Sequence, residues 1–282
     1  MALPPDFDIR DFVSRVLAED LGRCGDVTSN TTIPEDARFA AELNARQPIA
    51  VAGLELAAVF FQELDAGVEV EQLATDGDRV EAGSTLMRLE GDARAMLAAE
   101  RSALNTLQHL SGIATLTRRY ADAIEGTSAI LLDTRKTIPG LRVLEKYAAR
   151  MGGAQNHRMR LDDGVLIKDN HVAVCGGVAE AVRRAKAADT GLQIQVEVDR
   201  IDQIEPALAA GANRLLLDNM PPPVLRDAVA LVSGRALLEA SGGVTLDTIR
   251  AIAETGVDYI SVGRITQSAP AVDIGLDCLA IQ

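Results

Sequence analysis

Residues 194–218 read IQVEVDRIDQIEPALAAGANRLLLD. Two short apolar runs, Ile194–Val198 and Arg214–Leu217, flank a stretch of helical character that closes on Gly211. Glycine just past the last helical residue is a C-cap signal, since it adopts the left-handed conformation without a Cβ penalty. The segment is a strand–helix–strand unit, and strands joined by so long a crossover run parallel. The same rhythm extends in both directions. Ala129–Asp133 and Val165–Ile167 lie upstream, and Ala236–Glu239 and Tyr259–Val262 downstream. Pro221-Pro-Pro223 suits a helix start, where missing N–H groups cost little, and Gly256 suits a helix end. Alternation of this kind means a parallel sheet with crossover helices. Six such strands predict a closed or nearly closed β/α barrel, with a doubly wound open sheet as the alternative.

Each predicted strand ends in a chemically capable residue: Arg135 with Lys136, Lys168, Glu197, Asp218, Glu239 with Ser241, and Gly263 with Arg264. In β/α barrels the site is assembled at the C-terminal ends of the strands, so residues recurring at that position in every unit specify a site.

The part before the barrel has a different rhythm. Residues 8–20 carry apolar positions at helical spacing. Phe39–Val51 and Val68–Leu89 read as short strands and turns, with Asp76-Gly-Asp78 as a turn signal, and Leu54–Leu64 between them as a buried helix. Ala93 to about Ile124 is rich in Ala and Leu and predicts one long helix, or two with a kink at Ser111-Gly112. Together these make an α+β module.

Charge narrows the function. The 282-residue chain carries a formal charge of −13, yet Arg101 to His171 holds 11 Lys/Arg against 7 Asp/Glu, or +4, leaving −17 for the rest. All three histidines, His109, His157 and His171, fall in that window. A cationic island in an acidic protein focuses field on a small polyanion. A nucleic-acid surface would need a basic domain, so that class is set aside. No apolar run reaches the roughly 18 to 20 residues of a membrane span, and the N-terminus has no basic and apolar leader, so a cytoplasmic protein is expected. Cys24, Cys175 and Cys278 are odd in number and widely spaced, which fits reduced thiols. CxxC, HExxH, GxxxxGK[ST] and GxGxxG are absent, which excludes the zinc, P-loop and dinucleotide fingerprints.

Individual motifs sharpen this. Arg135 and Lys136 are adjacent cations at a strand end, facing other cations; like charges gather where an anion sits between them. Arg suits bidentate carboxylate or phosphate recognition, and Lys is a compact point charge. Asn156-His157-Arg158, with Arg160 beyond it, follows the flexible Gly152-Gly153. Lys168 at a barrel mouth could be a Schiff-base nucleophile, although the crowd of arginines favours electrostatic binding. Glu197 and Asp218 end consecutive strands. They could bind sugar hydroxyls, hold Mg²⁺ or stabilise a developing cation, against plain salt bridging to nearby cations. Glu239-Ala-Ser-Gly-Gly243 and Ser261-Val-Gly-Arg264 place glycines after late strands, where backbone N–H groups can approach a phosphate, or where they only make tight turns.

The assembled set resembles the quinolinate phosphoribosyltransferase family over nearly the whole chain. The resemblance rests on Glu100-Arg-Ser-Ala-Leu-Asn105, Ser111-Gly-Ile-Ala-Thr115, Asp133-Thr-Arg-Lys-Thr137, Asn156-His-Arg158 with Lys168-Asp-Asn-His171, Val196-Glu-Val198, Leu217-Asp-Asn219 and Glu239-Ala-Ser-Gly-Gly243. It implies an α/β fold: an N-terminal α/β sandwich domain over 1–110, completed by the returning tail 268–282, and an incomplete (β/α) barrel over 111–267. It implies transfer of a phosphoribosyl group from 5-phosphoribosyl-1-pyrophosphate to quinolinate, with Mg²⁺, giving nicotinate mononucleotide, pyrophosphate and CO₂ in de novo NAD biosynthesis. Arg101, Arg135, His157, Arg158 and Lys168 would hold the two carboxylates. Lys136 would assist the leaving group, and Ser241, Gly242, Gly243 and Gly263 would receive the 5-phosphate. Glu197 and Asp218 would order the ribose and Mg²⁺ and stabilise the cationic transition state, so Lys136, Lys168, Glu197 and Asp218 form the expected catalytic set. The resemblance also implies a homodimer in which Arg101 reaches the neighbouring site. The competing readings are a family paralogue with another base acceptor, a Schiff-base aldolase using Lys168, and a non-catalytic phosphosugar-binding barrel.

Overall fold

A computed structural model describes residues 7–279; residues 1–6 and 280–282, at the outer ends of the expected first domain, lie outside the described residues. In chain order the elements are α1 (Ile9–Leu21), α2 (Val27–Thr32), β1 (Arg38–Ala45), β2 (Ile49–Ala50), α3 (Leu54–Leu64), β3 (Glu69–Gln72), β4 (Arg79–Val80), β5 (Thr85–Asp92), α4 (Ala93–Ala123), β6 (Ile130–Leu132), α5 (Arg142–Met151) and β7 (Val165–Ile167). There follow α6 (Asp169–Cys175), α7 (Val178–Ala187), β8 (Ile194–Val198), α8 (Ile204–Ala209), β9 (Arg214–Asp218), α9 (Pro222–Val232), β10 (Leu237–Ser241), α10 (Leu246–Ala253), β11 (Tyr259–Ser261), α11 (Arg264–Gln267) and β12 (Ile274–Cys278). Two compact units result. Among the described residues, one comprises 7–116 with Val143–Gly152 and 269–279; the other comprises Thr117–Arg142 and Gly153–Ser268.

In the first unit an antiparallel sheet runs β12-β1-β5-β3, so the C-terminal strand pairs with β1 through Ala41↔Cys278 to Ala45↔Ile274. Asp76, in the sequence-predicted turn, has a second task. Its carboxylate accepts the N–H groups of Gly53 (2.8 Å) and Leu54 (2.9 Å), capping α3 from 22 residues away in sequence, and also accepts from the Tyr147 hydroxyl at 2.5 Å. Burial, then the hydrogen bond to Asp76, push the Tyr147 phenol well above its ordinary range. Of the two readings of this stretch, the single long helix is the one found: α4 runs across Ser111-Gly112 without interruption. Ser111 Oγ exchanges hydrogen bonds with Ala52, and a Cβ on Gly112 would lie 2.2 Å from the Pro270 carbonyl oxygen. These small residues permit close approach of other backbone rather than a break in the helix.

The second unit holds a parallel sheet in the order β6-β11-β10-β9-β8-β7. The sheet is open: β6 and β7 are its edges, and Gln155 makes an isolated bridge to Leu132. Successive strand residues face opposite sides. Val196 and Val198, Leu215 and Leu217, Leu238 and Ala240, and Ile260 are buried on one side. Full burial of a Leu or Val side chain contributes about 1.5–3 kcal/mol, which is what fixes the register. The alternate residues are mostly polar: Gln195 and Glu197, Arg214 and Asp218, Glu239 and Ser241, Tyr259 and Ser261. These line cavities on the concave side. The fold is thus an α/β architecture with an incomplete barrel whose interior is polar. Among the described residues, no helix is long and apolar enough to cross a membrane.

Candidate active site

A cavity of about 730 Å³ opens at the C-terminal ends of the parallel strands. Arg135 and Lys136 enter it from the loop after β6, His157 and Arg158 from the loop after α5, and Lys168 from the end of β7. Glu197, Asp218, Ser241 and Ser261 enter from β8 to β11, with Gly242, Gly243 and Gly263 from the turns that follow.

The loop carrying Asn156-His157-Arg158 is held by a buried carboxylate at the end of β6. Asp133 accepts the backbone N–H of His157 at 2.8 Å and Asn156 Nδ2 at 2.5 Å. Arg158 in turn donates its backbone N–H to His157 Nδ1 at 2.8 Å and its Nη1 to the Gly164 carbonyl at 2.8 Å. Both ring nitrogens of His157 therefore have protein partners, because Nε2 lies 3.5 Å from Glu239. Burial, and then the nearby Arg135, hold the Arg158 guanidinium below its usual value. Arg135 Nε is buried without a hydrogen-bond partner among the described residues. Two crowded guanidinium groups with an unused buried donor are a site shaped for an anion.

In the same lining Lys168 Nζ and Glu197 Oε2 form a close ion pair. Asp218, on the next strand, receives Asn219 Nδ2 at 2.6 Å. Burial and then Glu197 raise the Asp218 carboxyl above its ordinary range, partly offset by Lys168. These two carboxylates repel each other across adjacent strand ends. Among the described residues no group of three His, Cys, Asp or Glu could hold a metal ion, so a cation here would take two carboxylates at most.

Below this layer lies Glu239. The sequence reading placed it at a strand end, but β10 continues to Ser241 and Glu239 is fully buried inside the sheet. Its Oε2 accepts Gln195 Nε2 at 2.9 Å and an Arg214 Nη at 3.0 Å, and Arg214 stacks 4.3 Å above the Tyr259 ring. Burial works to raise the Glu239 carboxyl, but the His157 and Gln195 interactions outweigh it and hold the group down at about 2. A smaller cavity of about 190 Å³ reaches this cluster toward the strand starts, lined by Gln193, Gln195, Arg214 and Tyr259.

Comparison with known proteins places this geometry. A model of the quinolinate phosphoribosyl transferase C-terminal domain matches residues 113–277, and one of the N-terminal domain matches residues 26–111. The chain belongs to the quinolinate phosphoribosyltransferase family. Within that family it is 43% identical over 278 residues to a nicotinate-nucleotide pyrophosphorylase [carboxylating] of Mycobacterium leprae, covering 96% of this chain and 98% of the relative. It is 40% identical over 291 residues to the chloroplastic protein of that name from Arabidopsis thaliana, covering 96% of this chain and 83% of that one. Solved structures of nicotinate-nucleotide pyrophosphorylases agree. That from Francisella tularensis has a TM-score of 0.92 at 39% identity, covering 96% of each chain. That from Ehrlichia chaffeensis has a TM-score of 0.93 at 40% identity, covering 97% of this chain and 100% of that one.

Of the residues that the sequence assigned, this quinolinate phosphoribosyltransferase-family chain brings Arg135, Lys136, His157, Arg158, Lys168, Glu197, Asp218, Ser241, Gly242, Gly243 and Gly263 to one cavity. Arg101 is absent from that lining. It is exposed on α4 in the first unit, 3.9 Å from Glu100. Sequence reasoning missed the Asp133 anchor, the Gln195–Arg214–Glu239 cluster and Asn219. Asp133 and Glu239 were visible as polar residues in apolar runs, which marks a buried polar group without naming its partner.

Proposed function

We propose that the chain transfers the phosphoribosyl group of 5-phosphoribosyl-1-pyrophosphate to quinolinate and releases pyrophosphate, CO₂ and nicotinate mononucleotide. The names of the family and of the relatives accord with this reading, and one observation in this chain carries it: Arg135 and Arg158 crowd one pocket against their mutual repulsion, with a buried donor to spare. A planar dianion answers that arrangement, since each guanidinium can grip a carboxylate through two N–H groups. Lys168 adds a third cation. His157 lines the cavity beside Arg158, and the partner subunit's Arg101 would complete the set of cations around the carboxylates in a homodimer.

The reaction then follows from charge. The quinolinate ring nitrogen donates its lone pair to the ribose C1 as the bond from C1 to the pyrophosphate oxygen breaks. Positive charge builds on the sugar in that transition state, and the carboxylates of Glu197 and Asp218 would stabilise it. Lys136 neutralises the departing pyrophosphate, and Ser241, Gly242, Gly243 and Gly263 receive the 5-phosphate. The quaternised nitrogen next stabilises the electron pair left at the adjacent ring carbon when its carboxylate departs as CO₂, and a proton from solvent completes the product. No protein nucleophile is needed. Lys168, paired with Glu197, fits a cation better than the free amine of a Schiff-base enzyme.

Asp218 and Glu197 suit a magnesium ion, because their mutual repulsion is what a divalent cation relieves, and Mg²⁺ prefers one or two carboxylates plus water and phosphate oxygens. When bound, the ion would supply charge neutralisation at the pyrophosphate. A cytoplasmic location fits Cys24, Cys175 and Cys278, none of which is in a disulfide.

The test is to incubate the protein with quinolinate labelled in its 2-carboxylate, the donor and Mg²⁺. Labelled CO₂ and nicotinate mononucleotide are expected in equal amounts. Turnover of another base without CO₂ would assign the chain to a paralogous activity. Borohydride trapping of a carbonyl substrate on Lys168 would assign it to an aldolase, and donor binding without turnover of any base would make it a binding protein.

A further inference from the structure

Three non-glycine residues among those described have a positive φ: Asp189 at 43°, Asn219 at 55° and Ser233 at 47°. Ser233 caps α9, and Asp189 follows the C-cap of α7. Helix ends are the ordinary place for that conformation. Asn219 ends no helix. It follows the last residue of β9 directly and lines the large cavity. Left-handed backbone at a non-glycine residue persists only where the surroundings enforce it, and such residues cluster at functional sites. Asparagine is among the side chains that tolerate it.

The enforcing contacts run in two directions. Asn219 donates its backbone N–H to the Ser241 carbonyl at 2.9 Å, extending the β9–β10 pairing one step beyond Asp218↔Ser241. Its Nδ2 donates to Asp218 Oδ2 at 2.6 Å. Its Oδ1 then faces the next turn: a Cβ on Gly242 would lie 2.2 Å from Asn219 Oδ1 and 2.9 Å from Asn219 N, and Gly242 itself has φ +90°. One side chain thus touches the carboxylate on one strand end and the glycine turn on the next.

We infer that Asn219 is a positioning residue for the phosphorylated-sugar half of the site. Nδ2 orients the Asp218 carboxylate, while Oδ1 against Gly242 sets the spacing between that carboxylate and the Gly242-Gly243 backbone. The inference rests on the reading that Asp218 and the glycine turn bracket the sugar phosphate. Neither contact reaches the Arg135–Arg158 wall, so the effect is confined to the donor.

The deciding variant is Asn219→Gly. Glycine adopts φ 55° freely, so the backbone path is kept and only the side chain is lost. Asn219→Asp is its companion, keeping shape and left-handed tolerance while replacing the donor by an acceptor. Ribose 5-phosphate binding is measured by calorimetry in EDTA, quinolinate binding separately, and thermal midpoints for all three proteins. Both variants should bind ribose 5-phosphate about tenfold more weakly, the order expected for a lost charge-assisted hydrogen bond. Quinolinate affinity should be unchanged, and the Gly variant's midpoint should match the wild type. Wild-type ribose 5-phosphate binding in either variant would overturn the inference, as would equal weakening of both ligands. A wild-type protein that binds ribose 5-phosphate but does not convert quinolinate would overturn the proposed activity and leave the role of Asn219 standing.

Discussion

Asp133 carries His157 on its carboxylate: the backbone N–H of His157 reaches Oδ1 at 2.8 Å, across 24 residues of sequence. The carboxylate is fully buried and also takes Asn156 Nδ2, so one side chain ties the loop to the strand end at two points. Asp133→Ala would strand both donors. Leaving a buried polar group unsatisfied costs about 1–3 kcal/mol. Urea unfolding should show a loss of that order, and quinolinate KM should rise because the Arg158 backbone is released with the loop. Unchanged stability would mean the loop is held by other contacts.

Arg135→Ala and Arg158→Ala should each weaken quinolinate binding while donor binding changes little. A hydrogen bond to a charged group is worth about 1.5–3 kcal/mol, so the loss is tenfold or more. Isothermal titration with each ligand separately reads it. Equal losses for both ligands would assign these arginines to the phosphates instead.

Glu197→Ala and Asp218→Ala should lower kcat more than they raise quinolinate KM, because the charge they answer exists chiefly in the transition state. Asp218→Ala should keep the Lys168–Glu197 pair, whereas Glu197→Ala releases Lys168 and should disturb quinolinate binding slightly as well. Steady-state kinetics on both variants decides it. Full turnover with a raised quinolinate KM would move these carboxylates out of the chemistry.

Glu239 makes stability depend on acid. Its folded value is depressed, from an ordinary 4.5 to about 2. Such a carboxylate stabilises the fold fully above pH 4.5 and loses that contribution as pH falls from there toward 2. The shift is worth on the order of 3 kcal/mol. Glu239→Gln should be less stable than the wild type near neutrality, and the gap should close on acidification through that window. Urea midpoints at a series of pH values read this directly. A gap independent of pH would show that Glu239 acts through shape alone.

Arg101 provides the test of a shared site. Arg101→Ala and Lys168→Ala proteins should each be nearly inactive. Mixed in equal amounts and allowed to exchange subunits, half the dimers become heterodimers in which one site carries both lesions and the other none. Activity should then recover to about a quarter of wild type, by two-fold symmetry. No recovery, with exchange demonstrated by mass, would keep Arg101 within its own subunit's site or outside any site.

Local rules let the sequence determine the barrel strands. Ile194–Val198 and Val165–Ile167 were legible to the residue, because both are short and rich in β-branched residues, which suit a strand. The residues at the strand ends were legible for the same reason, since a parallel sheet brings all its C-terminal ends to one rim. Other features depend on contacts between residues far apart in sequence, which periodicity does not encode. Tertiary packing alone decided that Gly112 admits the Pro270 carbonyl rather than kinking α4, that Val143–Gly152 joins the first unit, and that Asp76 caps a helix 22 residues before it. It also decided what the buried polar residues do. An acidic residue inside an apolar strand shows only that a partner must exist; which partner satisfies it depends on the register of neighbouring strands. Leu216 of β9 stands beside both Glu197 and Glu239, yet one carboxylate pairs with Lys168 at the cavity wall and the other is sealed beneath it with Arg214.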